Sequence, residues 1–266
     1  MYEGTLNEGM RGIKQIIEDF GTAFHMRVRY DIFDVRTRAE VPDADYDVYI
    51  STGGPGSPID SAGSLWEQRY FTLIDAIKTH NLEHPSRKKH VFLICHSFQV
   101  FCRHYGYAMV SKRKSTSFGV KPVHKTEEGQ RDQLLRPLAD PFWVVDSRDF
   151  QITQPNMEKI EQGRGSVLCL EKLRPHVDLE RAVMAIRFDD AFFGTQFHPE
   201  ADSAGMRMYL LRQDKKELVI GKYGEKKYEE MLEYLNDPDK IMMTYNAVIP
   251  RFLMTALRHR LTAVPS

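Results

Sequence analysis

Met10, Ile13, Ile16, Ile17 and Phe20 recur at spacings of three and four, with Gly21 behind them. That period sets the apolar side chains on one face and predicts an amphipathic helix stopped by glycine. The pattern then changes. His25 to Val35 is rich in β-branched and aromatic residues and predicts a strand. Asp45 to Ile50 predicts a short buried strand, which runs into the turn-dense stretch Ser51-Thr52-Gly53-Gly54-Pro55-Gly56-Ser57-Pro58. Trp66 to Ile77 predicts a helix with Phe71, Ile74 and Ile77 on one face. Val91-Phe92-Leu93-Ile94 is a continuous apolar run, the pattern of a parallel strand covered on both sides. Phe98 to Tyr105 predicts a helix closed by Gly106.

Further strands are predicted at Ser117 to Val123, Phe142 to Val145, Ser166 to Leu170, Ala182 to Phe188 and Phe192 to Phe197. A polar helix is predicted between Gln130 and Leu138. From about residue 203 the chain reads as helical, with Tyr228, Met231, Leu232 and Leu235 in one stripe and Phe252, Leu253, Ala256 and Leu257 in another. Strands alternating with helices in the first half predict an α/β fold with a mostly parallel central sheet flanked by helices. The expected organisation is a domain over residues 1–202 and a helical C-terminal extension over 203–266 packed on it. A chain of 266 residues can bury such a core without disulfides or metals.

Composition narrows the function classes. Lys and Arg total 37, and Asp and Glu total 37, so there is no net charge to attract nucleic acid or an anionic membrane. Neither is expected as a partner. Cys95, Cys102 and Cys169 are too few, and odd in number, for a disulfide framework, which points to a reducing cytoplasm. No apolar run approaches the ~20 residues of a transmembrane helix, and the first residues lack the apolar core of a signal peptide.

Three segments carry candidate chemistry. Cys95 falls between a buried strand and a helix, the geometry of a nucleophile elbow, where a helix N-terminus favours the thiolate. Taken alone, it is equally a buried core thiol. In Gly194-Thr195-Gln196-Phe197-His198-Pro199-Glu200 a His and a Glu stand two apart after a strand, on one side of an extended chain. Taken alone, they read as a surface pair. Gly53-Gly54-Pro55-Gly56 follows a strand and lets backbone N–H groups approach a ligand, but it matches neither a P-loop nor a dinucleotide fingerprint. Other features read blandly: Cys102 as helix packing, Ser111-Lys112-Arg113-Lys114 as a solvated turn, and the methionines as core filler. His80, His84 and His90 flank a loop, and no metal site is expected.

In combination and in this order, the three segments resemble the class I glutamine amidotransferase family, over roughly residues 1 to 202 and without a synthetase domain. The resemblance implies a flavodoxin-like glutamine amidotransferase fold and glutamine hydrolysis. It makes Cys95 the nucleophile, His198 the acid and base, and Glu200 the residue that holds His198. The oxyanion would lie on the backbone N–H groups of Gly54 and His96. Substrate would meet Gly53, Gln99, Ser147 and Arg148. Two departures stand out. Leu93 and Ser97 replace the small residues usual around the nucleophile, which would narrow the pocket or reshape the oxyanion hole, and Arg148 stands where His is usual. Members of the family also open with a hydrophobic strand. Met1-Tyr2-Glu3-Gly4-Thr5 reads as the loop after it, so a missing first strand is expected.

No ATP-binding motif or cofactor is expected. The implied partners are glutamine or a related γ-glutamyl small molecule, and a separate synthetase subunit unless the protein acts alone. The extension would cover the sheet, form a homodimer or dock that partner. Two alternatives share the same residues: a hydrolase of another γ-glutamyl compound, and a non-catalytic relative that only binds.

Overall fold

The computed structural model describes residues 1, 8–176, 178–237 and 239–261. Helix α1 (Glu8–Ala23) and the single turn α2 (Val35–Arg38) precede β1 (Val48–Ser51), α3 (Leu65–Glu83), β2 (His90–Ile94) and α4 (His96–Tyr105). β3 (Met109–Lys125), α5 (Glu127–Arg131) and β4 (Phe142–Thr153) follow, then α6 (Met157–Gln162), β5 (Ser166–Glu171), β6 (Val183–Arg187) and β7 (Phe192–Thr195). The described chain ends with α7 (Ser203–Leu211), α8 (Gln213–Tyr223), α9 (Glu225–Asn236), α10 (Ile241–Ala256) and α11 (Arg258–Leu261). Residues 2–5, where a loop was expected, and the last residues of the extension lie outside the described part.

The strands form one sheet in the order β1-β2-β7-β6-β5-β3-β4. β1, β2 and β7 are parallel, whereas the ladders beyond β7 are antiparallel. The α/β sheet with flanking helices is as expected, and it is mixed. Connection length explains the mixture, because a parallel pair needs a crossover of a dozen or more residues and the link from Arg187 to Phe192 is far shorter.

Helices cover both faces. On one, α1 and α10 bury Ile13, Phe20, Val248 and Phe252 against Phe92, Ile94 and Phe193. On the other, α3 and α4 bury Tyr70, Ile74, Phe98 and Phe101 against Val91, Leu93 and Phe192. The adjacent positions Phe92 and Leu93 thus serve opposite layers, which is why the run in β2 is continuously apolar. Helices of the extension join in. Phe252 meets the Phe92 ring edge-on at 5.0 Å, and Met231 and Leu235 of α9 pack with Val120 and Val145 of β3 and β4.

Three local expectations are corrected. His25 to Val35 forms no strand: residues 26–34 take neither helix nor strand structure, and no strand is bonded to them. The helix expected over Gln130 to Leu138 is the short α5 followed by turns, because Asp132 takes an extended backbone and caps Leu134 with its carboxylate. The basic run Ser111 to Lys114 is strand, not turn. It lies in β3, where Ser111 and Lys112 pair with Gln151 and Phe150.

Gly194 lies in β7 where the ring of Phe98 from α4 presses on the sheet, so a Cβ there would overlap the ring. Gly194→Ala is therefore expected to destabilise the fold by about 1–3 kcal/mol, the usual range for overpacking. The check is a lower urea midpoint at unchanged m-value.

Candidate active site

β1, β2 and β7 end side by side, with Ser51 level with Leu93 and Ile94 level with Thr195. The loops that leave them carry the three candidate segments. Open α/β sheets bind ligands at these carboxyl ends.

Cys95 has φ 51° and ψ −101°, a backbone conformation rarely taken by a residue with a side chain. Such a residue costs of order 1–3 kcal/mol and persists only where its surroundings hold it. Here they do. Its N–H donates to the Thr195 carbonyl at 2.7 Å, and its carbonyl accepts from Gln99 N in α4 at 3.0 Å. The Ser97 hydroxyl completes the turn by accepting from Ile94 N at 2.8 Å and donating to the Ser51 carbonyl at 2.6 Å. Ser97 thus joins the elbow to the end of β1. Leu93 is buried in the layer beneath α3 and α4. Neither residue narrows the cleft in the way their bulk suggests.

His198 is fixed through both main chain and side chain. Its N–H donates to the Val145 carbonyl of β4 at 2.9 Å. Its Nδ1 lies 2.8 Å from Glu200 Oε1, and the Cys95 side chain is the ring's other electrostatic neighbour. Glu200 is 1% exposed. Burial alone would lower the His198 pKa. The Glu200 carboxylate and the Cys95 sulfur outweigh it and hold the value well above 6.5. The imidazole is thereby poised to carry a proton between its neighbours.

Gly53 sits between the two. A Cβ there would stand 2.9 Å from His198 Cε1 and 3.4 Å from Cys95 Cβ, so only glycine leaves the ring its place. Gly54 is half-buried beside Arg36, whose guanidinium bonds the Pro55 carbonyl. The N–H of His96 opens α4, where no intrahelical acceptor exists. The His96 ring takes a different part. Burial, helped by Arg36, the terminal amine and Arg103, lowers its pKa to about 3, so it stays neutral.

The remaining expected residues divide. The Ser147 carbonyl lies 3.7 Å from Cys95 Sγ. The Gln99 side chain is buried and donates to the Phe150 carbonyl at 3.3 Å and to Gln196 Oε1 at 3.1 Å. Gln196 in turn sets its Nε2 3.6 Å from Cys95 Sγ. The expectation that the Arg148 side chain faces substrate is corrected. It is buried in an ion network, 3.0 Å from Asp146 and 3.3 Å from Glu171. A buried guanidinium needs such partners, and they turn it away from solvent.

The sequence reading missed Gln196 as a contact of the sulfur. Its signal is a polar residue directly after an apolar strand, and it is fully buried. Cys102 and Cys169 are buried thiols whose pKa is pushed up by desolvation. Among the described residues, no three side chains of the metal-ligating types converge.

Residues 12–218 match the profile of a family described as glutamine amidotransferase class-I. Among solved structures, a glutamine amidotransferase from Thermotoga maritima is similar, with a TM-score of 0.63 and 17% identity. That match covers 94% of this chain and 92% of the other. A glutamine amidotransferase from Methylobacillus flagellatus gives a TM-score of 0.63 at 16% identity, covering 91% of this chain and 88% of the other. At such identities the likeness is one of fold. No curated protein matches the chain.

A raised folded pKa has a definite consequence for stability. The His198–Glu200 pair contributes fully below about pH 6.5 and loses that contribution as pH rises through the folded value. Glu200→Gln is therefore expected to be most destabilising at about pH 6 and progressively less so above it. Urea unfolding of both proteins across that range measures the difference, and a gap independent of pH would contradict the pairing.

Proposed function

The chain belongs to the class-I glutamine amidotransferase family, and from that premise we propose that it hydrolyses the side-chain amide of glutamine through Cys95, His198 and Glu200. The observation that carries this reading is the 2.8 Å contact of His198 Nδ1 with Glu200, made by an imidazole whose other electrostatic neighbour is the Cys95 side chain. A nucleophile, a base and a group orienting the base, in series, form the signature of covalent catalysis.

In the proposed reaction His198 takes the thiol proton, and the sulfur attacks the amide carbon. The backbone N–H groups of Gly54 and His96 receive the negative oxygen that develops, in the manner of an oxyanion hole. The carbon–nitrogen bond then breaks. His198 delivers its proton to the leaving nitrogen, which departs as ammonia and leaves a thioester on Cys95. Water, deprotonated by His198, attacks the thioester and releases glutamate. Glu200 keeps the tautomer that points Nε2 at the sulfur, and stabilises the imidazolium.

Gly53 and the Ser147 carbonyl border the space where the amino-acid end of glutamine would lie. Gln99 works at one remove in this reading, because its amide holds Gln196 against the sulfur. The sequence contains no P-loop pattern. In this reading the ammonia passes to solvent or to a synthetase partner. Among the described residues, no helix is long and apolar enough to cross a membrane.

Ammonia release from glutamine tests the assignment. Cys95→Ala is expected to lower kcat by at least about 10³-fold with little change in Tm, and Glu200→Gln to lower kcat by about 10²–10⁴-fold. His96→Ala is expected to keep kcat within about tenfold, because only its main chain takes part. Wild-type activity no higher than that of Cys95→Ala, on glutamine and on γ-glutamyl peptides alike, would leave a binding role only.

A further inference from the structure

Two buried amides stand in line with the sulfur of Cys95. Gln99 lies in α4, and Gln196 follows β7; both are buried, Gln196 completely. Neither reaches water, so each must find its partners within the protein. The Gln99 amide donates to the Phe150 carbonyl at 3.3 Å and to Gln196 Oε1 at 3.1 Å. Gln196 Nε2 then stands 3.6 Å from Cys95 Sγ.

The far end of this line fixes which way it points. A main-chain carbonyl only accepts, so Phe150 requires the NH2 group of Gln99. The second N–H of that group meets Gln196 and requires an oxygen there. The NH2 end of Gln196 is therefore the one left for the sulfur. Turning Gln196 over would set two NH2 groups against each other and an oxygen against the sulfur. The backbone adds a second hold. Gln196 N donates to the Met184 carbonyl at 2.8 Å, and the preceding Thr195 carbonyl accepts from Cys95 N. Donor and sulfur thus hang from the same strand end.

A donor aimed at sulfur discriminates between the states of that sulfur. Cys95 is buried, so water does little to solvate a thiolate there. The thiol can direct its proton to the Ser147 carbonyl, 3.7 Å away, but the same oxygen repels the anion. An N–H···S bond becomes roughly twice as strong when the sulfur is charged, and so favours the charged form. It is strongest as His198 takes the thiol proton, and again as the thioester breaks.

We propose that Gln196 is a further catalytic residue, a neutral donor that stabilises the Cys95 thiolate, and that Gln99 is the positioning residue that fixes which end of its amide meets the sulfur. This rests on Cys95 being the nucleophile, as assigned above. Having no proton to exchange, Gln196 assists ionisation without competing with His198.

Gln196→Met keeps the length of the side chain and removes the donor. It is expected to lower kcat for glutamine by about 10–100-fold, the weight of a hydrogen bond to a charged group, with KM within about threefold. The deciding readout does not involve glutamine. It is the rate of Cys95 alkylation by iodoacetamide, followed by peptide mass from about pH 5 to about pH 10. The titratable groups about the sulfur, His198 with Glu200 after β7 and His96 on α4, are the same in both proteins. Asp146 and Arg148, which flank Ser147 on β4, are paired with each other. The midpoint of the rate is expected to move up by about one to two pH units. The alkaline plateau is expected to equal or exceed that of the wild type, because a less stabilised thiolate is the better nucleophile. Gln99→Met is expected to move the midpoint the same way by less. A midpoint that stays in place in Gln196→Met while kcat falls overturns the proposal, since a purely structural loss then accounts for the rate. If Gln196→Met does not fold, an unmoved midpoint in Gln99→Met overturns it and a raised one supports it. An inactive wild type whose midpoint still rises in Gln196→Met overturns the reaction assigned to Cys95 and supports the donor.

Discussion

The site depends on one constraint: Cys95 must hold a backbone conformation that its side chain disfavours. Nothing within the residue supplies that. The hold comes from three elements at once, the Thr195 carbonyl at the end of β7, the first turn of α4, and Ser97 reaching across to Ser51 at the end of β1. The elbow is therefore a property of the packed sheet rather than of a local sequence. It presents the sulfur above the strand ends, beside the opening N–H groups of a ten-residue helix. Strain of this kind collects at functional sites because the surrounding fold can over-determine them.

Electrostatics complete what the backbone begins. Glu200 is buried against His198, so its charge acts in a poorly screened setting and overcomes the desolvation that would otherwise discharge the ring. The neighbouring buried ions are kept apart from this exchange. Arg148, Asp146, Arg113 and Glu171 neutralise one another beneath the β3–β4 hairpin. His96, although adjacent to Cys95 in sequence, is held neutral by burial and adds no charge.

The parts legible in the sequence are those whose signal is local. The glycine-rich turn after β1, the apolar run of β2 ending at Cys95 and the His-Pro-Glu step after β7 each need a particular residue type at a particular place. Helix α1 was legible from period alone. The failures share a physical cause. Residues 25–35 have the composition of a strand, but a strand exists only with a bonded partner. Ser111 to Lys114 reads as a solvated turn because its side chains are polar, yet its backbone is held by β4. Arg148 was placed by position in a motif, whereas its orientation is set by Asp146 and Glu171, which lie elsewhere in the chain or on the same face of the strand. Gln196 stood inside a quoted motif, but its contact with the sulfur depends on how β7 and α4 come together.

The central claim is that the sulfur of Cys95 becomes covalently bound to the glutamyl carbonyl during turnover. Mass spectrometry of protein acid-quenched while turning over glutamine reads this directly. The account predicts a γ-glutamyl adduct on the peptide that contains Cys95, lost in Cys95→Ala, with Cys102 and Cys169 unmodified. Ammonia release that persists in Cys95→Ala, with no adduct at that position in the wild type, would contradict it.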